Sequence, residues 1–226
     1  MNGPALFVRY AFAPNRLGYC GPVDASALLE RWTGTGFRAV AKQFEGAWPQ
    51  LRTIAAATGT ADPLDHDVVE AYWIGNRLLD RAGDGQGGLP HHSFQVFCLY
   101  PWANLLLDER RAEHALEVLD QCRIRWGRVI TVRADQVVVE SRPLVWDGTT
   151  LTLGVSGRET ARVSVDGVSL VGPLHPGDWV SLHWEWVCDR LTATQLVALR
   201  HYSAYHLGLV NQRLGGRAGT SGPRIQ

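Results

Sequence analysis

The apolar period of this chain changes at Cys122 and changes back near Leu191, and those two switches divide what each part can fold into. Upstream, apolar residues recur at helical spacing, as in Ala112, Ala115, Leu116 and Leu119. Downstream, from the stretch CRIRWGRVITV onward, they alternate as Val129, Ile130 and Val132, then Val137 and Val139, then Val180 and Leu182. Short β-branched runs parted by Ala-Asp, Asp-Gly, Ser-Gly and Pro-Gly-Asp turns are the pattern of a small antiparallel barrel. The expected fold class is therefore α+β. A helical domain spans 1–121, a barrel with a C-terminal helix spans 122–214, and a glycine-rich flexible tail occupies 215–226.

Within the first part, Asp24 caps an expected helix through Trp32, and a second helix runs from Phe37 to Ala57 with a break at Pro49, which lacks the amide a helix interior needs. Asp62 and Pro63 open a third, carrying Val68, Val69, Tyr72, Trp73 and Leu79. The glycine-rich stretch 83–92 is a loop, and helices over Ser93–Leu107 and Glu109–Gln121 come after it. In the second part the strands are expected in RVITVRA, QVVVESRPLVW, TLTLGV, ARVSVDG and DWVSLHWEWV. Beyond them, Thr192 and Gln195 form a capping box at the start of the last helix.

With 226 residues the chain can bury a sizeable core without staples. Its 22 basic and 22 acidic residues cancel, which argues against electrostatic binding of nucleic acid or an anionic membrane. No stretch reaches the roughly 18 apolar residues of a membrane helix, and no export signal opens the chain. The expectation is a cytoplasmic protein whose four cysteines, spaced far apart, are reduced thiols.

Read singly, the residues that carry chemistry have plain explanations. Cys122, at a helix–strand junction, suits a small buried hydrophobe, and His183 sits at an ordinary barrel position. Cys188 is expected to pack. His91 and His92, being adjacent, point apart, which disfavours a common metal. His201 and His206 belong to the flank of an amphipathic helix with wet polar tips, and Tyr72 and Trp73 to core or interface. Cys20, between glycines in GYCGP, could pair with His91 as an enzyme's Cys/His site.

Taken together, two stretches say more. Residues 122 to about 201 resemble the HypC/HupF/HybG family of nickel–iron hydrogenase assembly chaperones. That family opens with a cysteine shortly before a Gly-Lys-Val-Val strand; here the cysteine is Cys122 and the strand Gly127-Arg128-Val129-Ile130. A later Val-Gly-Asp-Tyr-Val-Leu-Val-His strand corresponds to Pro176-Gly177-Asp178-Trp179-Val180-Ser181-Leu182-His183, and a Lys-Leu-Asp-Glu helix start to Asp189-Arg190-Leu191-Thr192. The resemblance implies an OB-like barrel and no enzyme activity of its own. It further implies carriage of an Fe(CN)2CO fragment, with Cys122 and His183 as metal ligands, between a maturation scaffold protein and the hydrogenase large-subunit precursor. A neutral, tryptophan-rich chain would meet those partners through an apolar patch. The sequence departs from the family in placing the cysteine inside the chain, in Trp126 where the family has proline, and in an insertion around Val145 to Glu159. A protein-interaction adaptor without metal chemistry is the other reading compatible with that barrel.

Overall fold

The computed structural model describes residues 2–23, 28, 36–83, 87–164, 167, 169 and 171–218; the helix expected from Asp24 to Trp32 lies largely outside them. The apolar opening forms helix α1 (Gly3–Arg16), started by Asn2, whose side chain accepts the Ala5 amide at 3.0 Å. Leu6, Phe7, Val8 and Tyr10 through Asn15 of this helix are all buried. Next come α2 (Phe37–Ala41) and α3 (Ala47–Thr58). The break expected at Pro49 falls ahead of it, at 42–46. Pro49 sits in the first turn of α3, where an amide has no intrahelical partner to lose.

Helix α4 (His66–Trp73) is capped by Asp65, while Asp62, the expected cap, accepts the Leu64 amide in the turn before. The helix cannot continue through Gly75, whose φ is +96° and against which the Tyr202 ring packs so closely that a Cβ would lie 2.1 Å from it. Leu79 therefore falls in a separate short helix, α5 (Leu79–Ala82). The region read as one helix over Ser93–Leu107 is three pieces. These are α6 (His92–Phe94), a π-helical turn (Gln95–Leu99) and, after Pro101, α7 (Trp102–Leu105). Helix α8 (Ala112–Cys122) ends on the cysteine itself.

Downstream lie strands β1 (Arg125–Val132), β2 (Gln136–Ser141), β3 (Leu144–Trp146), β4 (Leu151–Leu153), β5 (Gly157–Arg162), β6 (Trp179–His183) and β7 (Trp186–Arg190). Five of them close a barrel in the order β1-β2-β5-β7-β6, and β3 with β4 forms a separate ribbon. The run 136–146 is thus two strands, parted at Arg142-Pro143, where proline has no amide for a ladder. The run 178–187 is a hairpin that turns at Trp184-Glu185. The barrel is mixed: β5 meets β7 in parallel through Arg162 and Trp186, and the other pairings among the described residues are antiparallel. Val129, Val137, Val139, Ala161, Val180, Leu182 and Val187 fill its interior.

Helix α9 (Ala193–Ala218) begins with the expected capping box, Thr192 and Gln195 exchanging backbone-to-side-chain bonds of 2.9 and 3.2 Å. One apolar core runs without interruption from Phe7, Tyr10 and Trp73 to Trp184, Trp186 and Cys188 of the barrel and Leu199 and Tyr202 of α9. It is at this join that the chemistry-bearing side chains meet.

Candidate metal centre

His183 is the last residue of β6, and the turn that leaves the strand fixes where its ring points. The Trp184 amide donates to the Gln121 carbonyl at 2.8 Å, tying the β6–β7 turn to the end of α8. Arg125 reinforces the tie, donating to the carbonyls of Asp120, Gln121 and Trp184 at 3.0, 3.3 and 2.6 Å. The ring then meets α1, with Nδ1 2.6 Å from the Tyr10 carbonyl. A carbonyl only accepts, so Nδ1 carries the proton and Nε2 keeps its lone pair. That Nε2 is buried and has no hydrogen-bond partner among the described residues.

Cys122, as the final residue of α8, has a carbonyl without an intrahelical partner. His92 Nε2 supplies one, donating to it at 2.9 Å. The same logic leaves the lone pair of His92 on Nδ1, which faces the Tyr72 hydroxyl at 3.2 Å. His92 is placed by its neighbour: the His91 side chain accepts the Ser93 amide and caps α6, making His92 its first helical residue. The outcome is that one ring nitrogen each from His92 and His183 and the Cys122 sulfur lie within 4.8 Å of one another.

Burial sets the charge state of all three. The ionisation of His183 is driven well below that of a free histidine, first by desolvation and then by the His92 ring beside it. His92 is lowered to about 4 by desolvation. The Cys122 thiol is raised to about 12, again by burial, with a further contribution from Cys20. The metal-free centre therefore holds two neutral imidazoles and a protonated thiol. Imidazoles in that state need lose nothing to bind a metal, whereas the thiol must release its proton on binding.

The three line a cavity of about 170 Å³ together with Tyr19, Cys20, Tyr100 and Trp184. That is several times the roughly 30 Å³ share of one water, so the space admits more than a bare ion. Trp73 packs against both imidazoles, its ring centre 4.6 Å from that of His92 and 5.8 Å from that of His183. Tyr19 stacks on Trp184 at 4.1 Å.

The structure thus brings Cys122 and His183 together and adds His92, which adjacency to His91 had argued against. The two neighbours do point apart; His91 turns away to stack on Tyr202 and His206. Adjacency excludes a shared metal but not a metal shared with distant residues. Cys20 lines the cavity with His92, and His91 is not part of that lining; burial holds the Cys20 thiol up to about 12. Cys188 packs in the core. His206, expected to have a wet tip, is fully buried, because α9 lies across α6 and Ser93 Oγ takes its Nδ1 at 2.7 Å. A helix-capping histidine with a second histidine directly after it was the one signal available for His92.

No described helix is long and apolar enough to cross a membrane. The model of a family described as one of unknown function, DUF6390, matches residues 1–86 and 85–217. No curated protein and no solved structure matches the chain.

Proposed function

The chain belongs to DUF6390, a family whose description names no chemistry, and on the geometry of the metal centre we propose that it is an accessory chaperone of nickel–iron hydrogenase maturation. In this reading Cys122 and His183 carry an Fe(CN)2CO fragment that is cargo rather than a resident cofactor. The observation that carries the reading is the meeting of the Cys122 sulfur with a ring nitrogen of His183 across the join of helix and barrel, where His183 Nε2 is buried and without a partner among the described residues. A thiolate is a strong ligand for soft low-spin iron, and an imidazole whose other nitrogen is held by a backbone carbonyl is oriented before the metal arrives. Because Cys122 is internal, its sulfur alone is available, with no terminal amine to assist.

The barrel supports the same reading. Numbered by themselves, its strands run 1-2-3-5-4 around the closure, with strands 3 and 5 parallel. That order supports the OB-like barrel that the resemblance implies. The partners in this reading are the hydrogenase large-subunit precursor and a maturation scaffold protein, in the cytoplasm, with no nucleic acid involved.

The test uses the full chain purified from cells that are making the hydrogenase. Infrared spectra are expected to show carbonyl and cyanide stretches that vanish in Cys122→Ser, a variant that stays folded yet leaves the precursor without its active site. A Cys122→Ser protein that matures the hydrogenase normally would leave the adaptor reading in its place.

A further inference from the structure

Three donors meet at the centre, although the carrier reading uses two. We propose that His92 is a third protein ligand, so that the helical half and the barrel together present two imidazoles and one thiolate to a single metal. The donor set itself suits a divalent ion of the zinc and ferrous class, for which mixed imidazole and thiolate ligation is favourable. Assigning the carried fragment to it rests on the carrier reading. There the count agrees, since a six-coordinate iron that keeps one carbonyl and two cyanides has three positions left.

Several independent features converge on this. His183 is 1 % exposed, and its Nε2 is an acceptor that the fold leaves without a partner among the described residues. An orphaned buried polar atom is costly unless something fills its place. His92 is also buried, and its proton is pinned on Nε2 by the Cys122 carbonyl, so Nδ1 keeps its lone pair. What occupies that lone pair is a hydroxyl proton from Tyr72, which can rotate away. Donors on a tetrahedral ion with bonds of about 2.0 to 2.3 Å stand about 3.5 Å apart, so the set has to draw in by on the order of 1 Å from its 4.8 Å spread. Cys122 and His92 can supply that movement, while the Tyr10 carbonyl holds His183 in place.

The experiment is a titration of the full metal-free chain with cobalt(II), monitored by absorption. The expected result is one ion per chain, with a thiolate-to-cobalt charge-transfer band and the strong visible bands of a four-coordinate ion. His92→Gln keeps a donor for the Cys122 carbonyl and should bind at least tenfold more weakly, since even losing an outer partner of a ligand costs about 10- to 100-fold. Tyr72→Phe removes the competing proton and should bind more tightly. X-ray absorption at the cobalt edge of the wild-type complex reads the ligands without any variant, with one sulfur near about 2.3 Å and two imidazoles expected. A wild-type chain that takes up no cobalt, a His92→Gln chain that binds as well as wild type, or a single imidazole at the edge overturns the proposal. Infrared spectra of cargo are a separate readout. Cobalt bound through three ligands without carbonyl and cyanide bands keeps the donor set and removes the carrier reading.

Discussion

At Trp184 the backbone adopts φ +55°, and among the described non-glycine residues no other has a positive φ. A bulky residue in that region costs about 1–2 kcal/mol, and the first position of so tight a hairpin ordinarily takes glycine. The tryptophan persists because its side chain roofs the cavity: it is 8 % exposed and stacked on Tyr19. Trp184→Gly relieves the strain but removes a buried aromatic, a change that costs about 3–5 kcal/mol, so a net loss of about 2 kcal/mol is expected in urea unfolding. The same variant should let a thiol reagent reach Cys122 faster. Unchanged or greater stability would mean that the strained turn outweighs the stack. Nothing in the sequence marked this turn, because DWVSLHWEWV alternates as if it were one strand. Cys122 and His183 were legible through the register of two stretches, whereas His92 was not, since only tertiary packing carries its loop to the end of α8.

The end of α8, the start of β1, strand β5 and the β6–β7 turn are fastened to one another by the Arg125 side chain. It is 1 % exposed and pairs with Glu159 of β5 at 3.0 Å while donating to carbonyls of the other two elements. Removing one member of a buried pair costs about 3–5 kcal/mol, and Arg125→Met also takes a donor from the carbonyls of Asp120 and Trp184. The expected loss is about 3 kcal/mol by denaturant unfolding, with weaker cobalt binding because Cys122 and His183 are no longer held in register. Adding Glu159→Met should recover part of the stability but none of the metal affinity; recovery of both would show that the arginine merely neutralises a charge. This junction also explains what was legible among the elements. Strands β1, β2 and β6 advertise themselves by alternating valine and leucine, whereas β5, GRETAR, turns only Ala161 fully inward and uses Glu159 as the anchor for Arg125. A strand held by an ion pair leaves no apolar period to read. The helical half was misread where proline and glycine act by position: Pro49 inside a first turn, and Gly75 where a ring from α9 lies against the backbone.

Across the whole molecule, four histidines are buried where the helices meet the barrel and α9: His91, His92, His183 and His206. His206 belongs to a closed relay away from the cavity. The Leu89 amide donates to its Nε2 at 3.3 Å, so its Nδ1 donates to Ser93 Oγ at 2.7 Å, which in turn reaches His91 Nδ1 at 2.8 Å. Burial lowers His206 to about 4, assisted by the nearby positive charge of Arg213 and opposed by the Tyr202 backbone. An ordinary histidine in the unfolded chain takes up its proton near pH 6.5. Between those values the unfolded state binds a proton that the folded state refuses, so stability is complete above about pH 6.5 and falls as the pH drops to about 4. A shift of that size corresponds to about 3 kcal/mol from this one residue. Replacing it isolates the effect from every carboxylate in the chain. His206→Gln should be slightly less stable than wild type at pH 7, where a relay bond is lost. The gap should then close and reverse in urea titrations at pH 5.5 and pH 4, because glutamine has no proton to gain. Parallel losses of stability in the two proteins over that range would place the acid sensitivity elsewhere and leave the relay a purely neutral contact between α9 and α6.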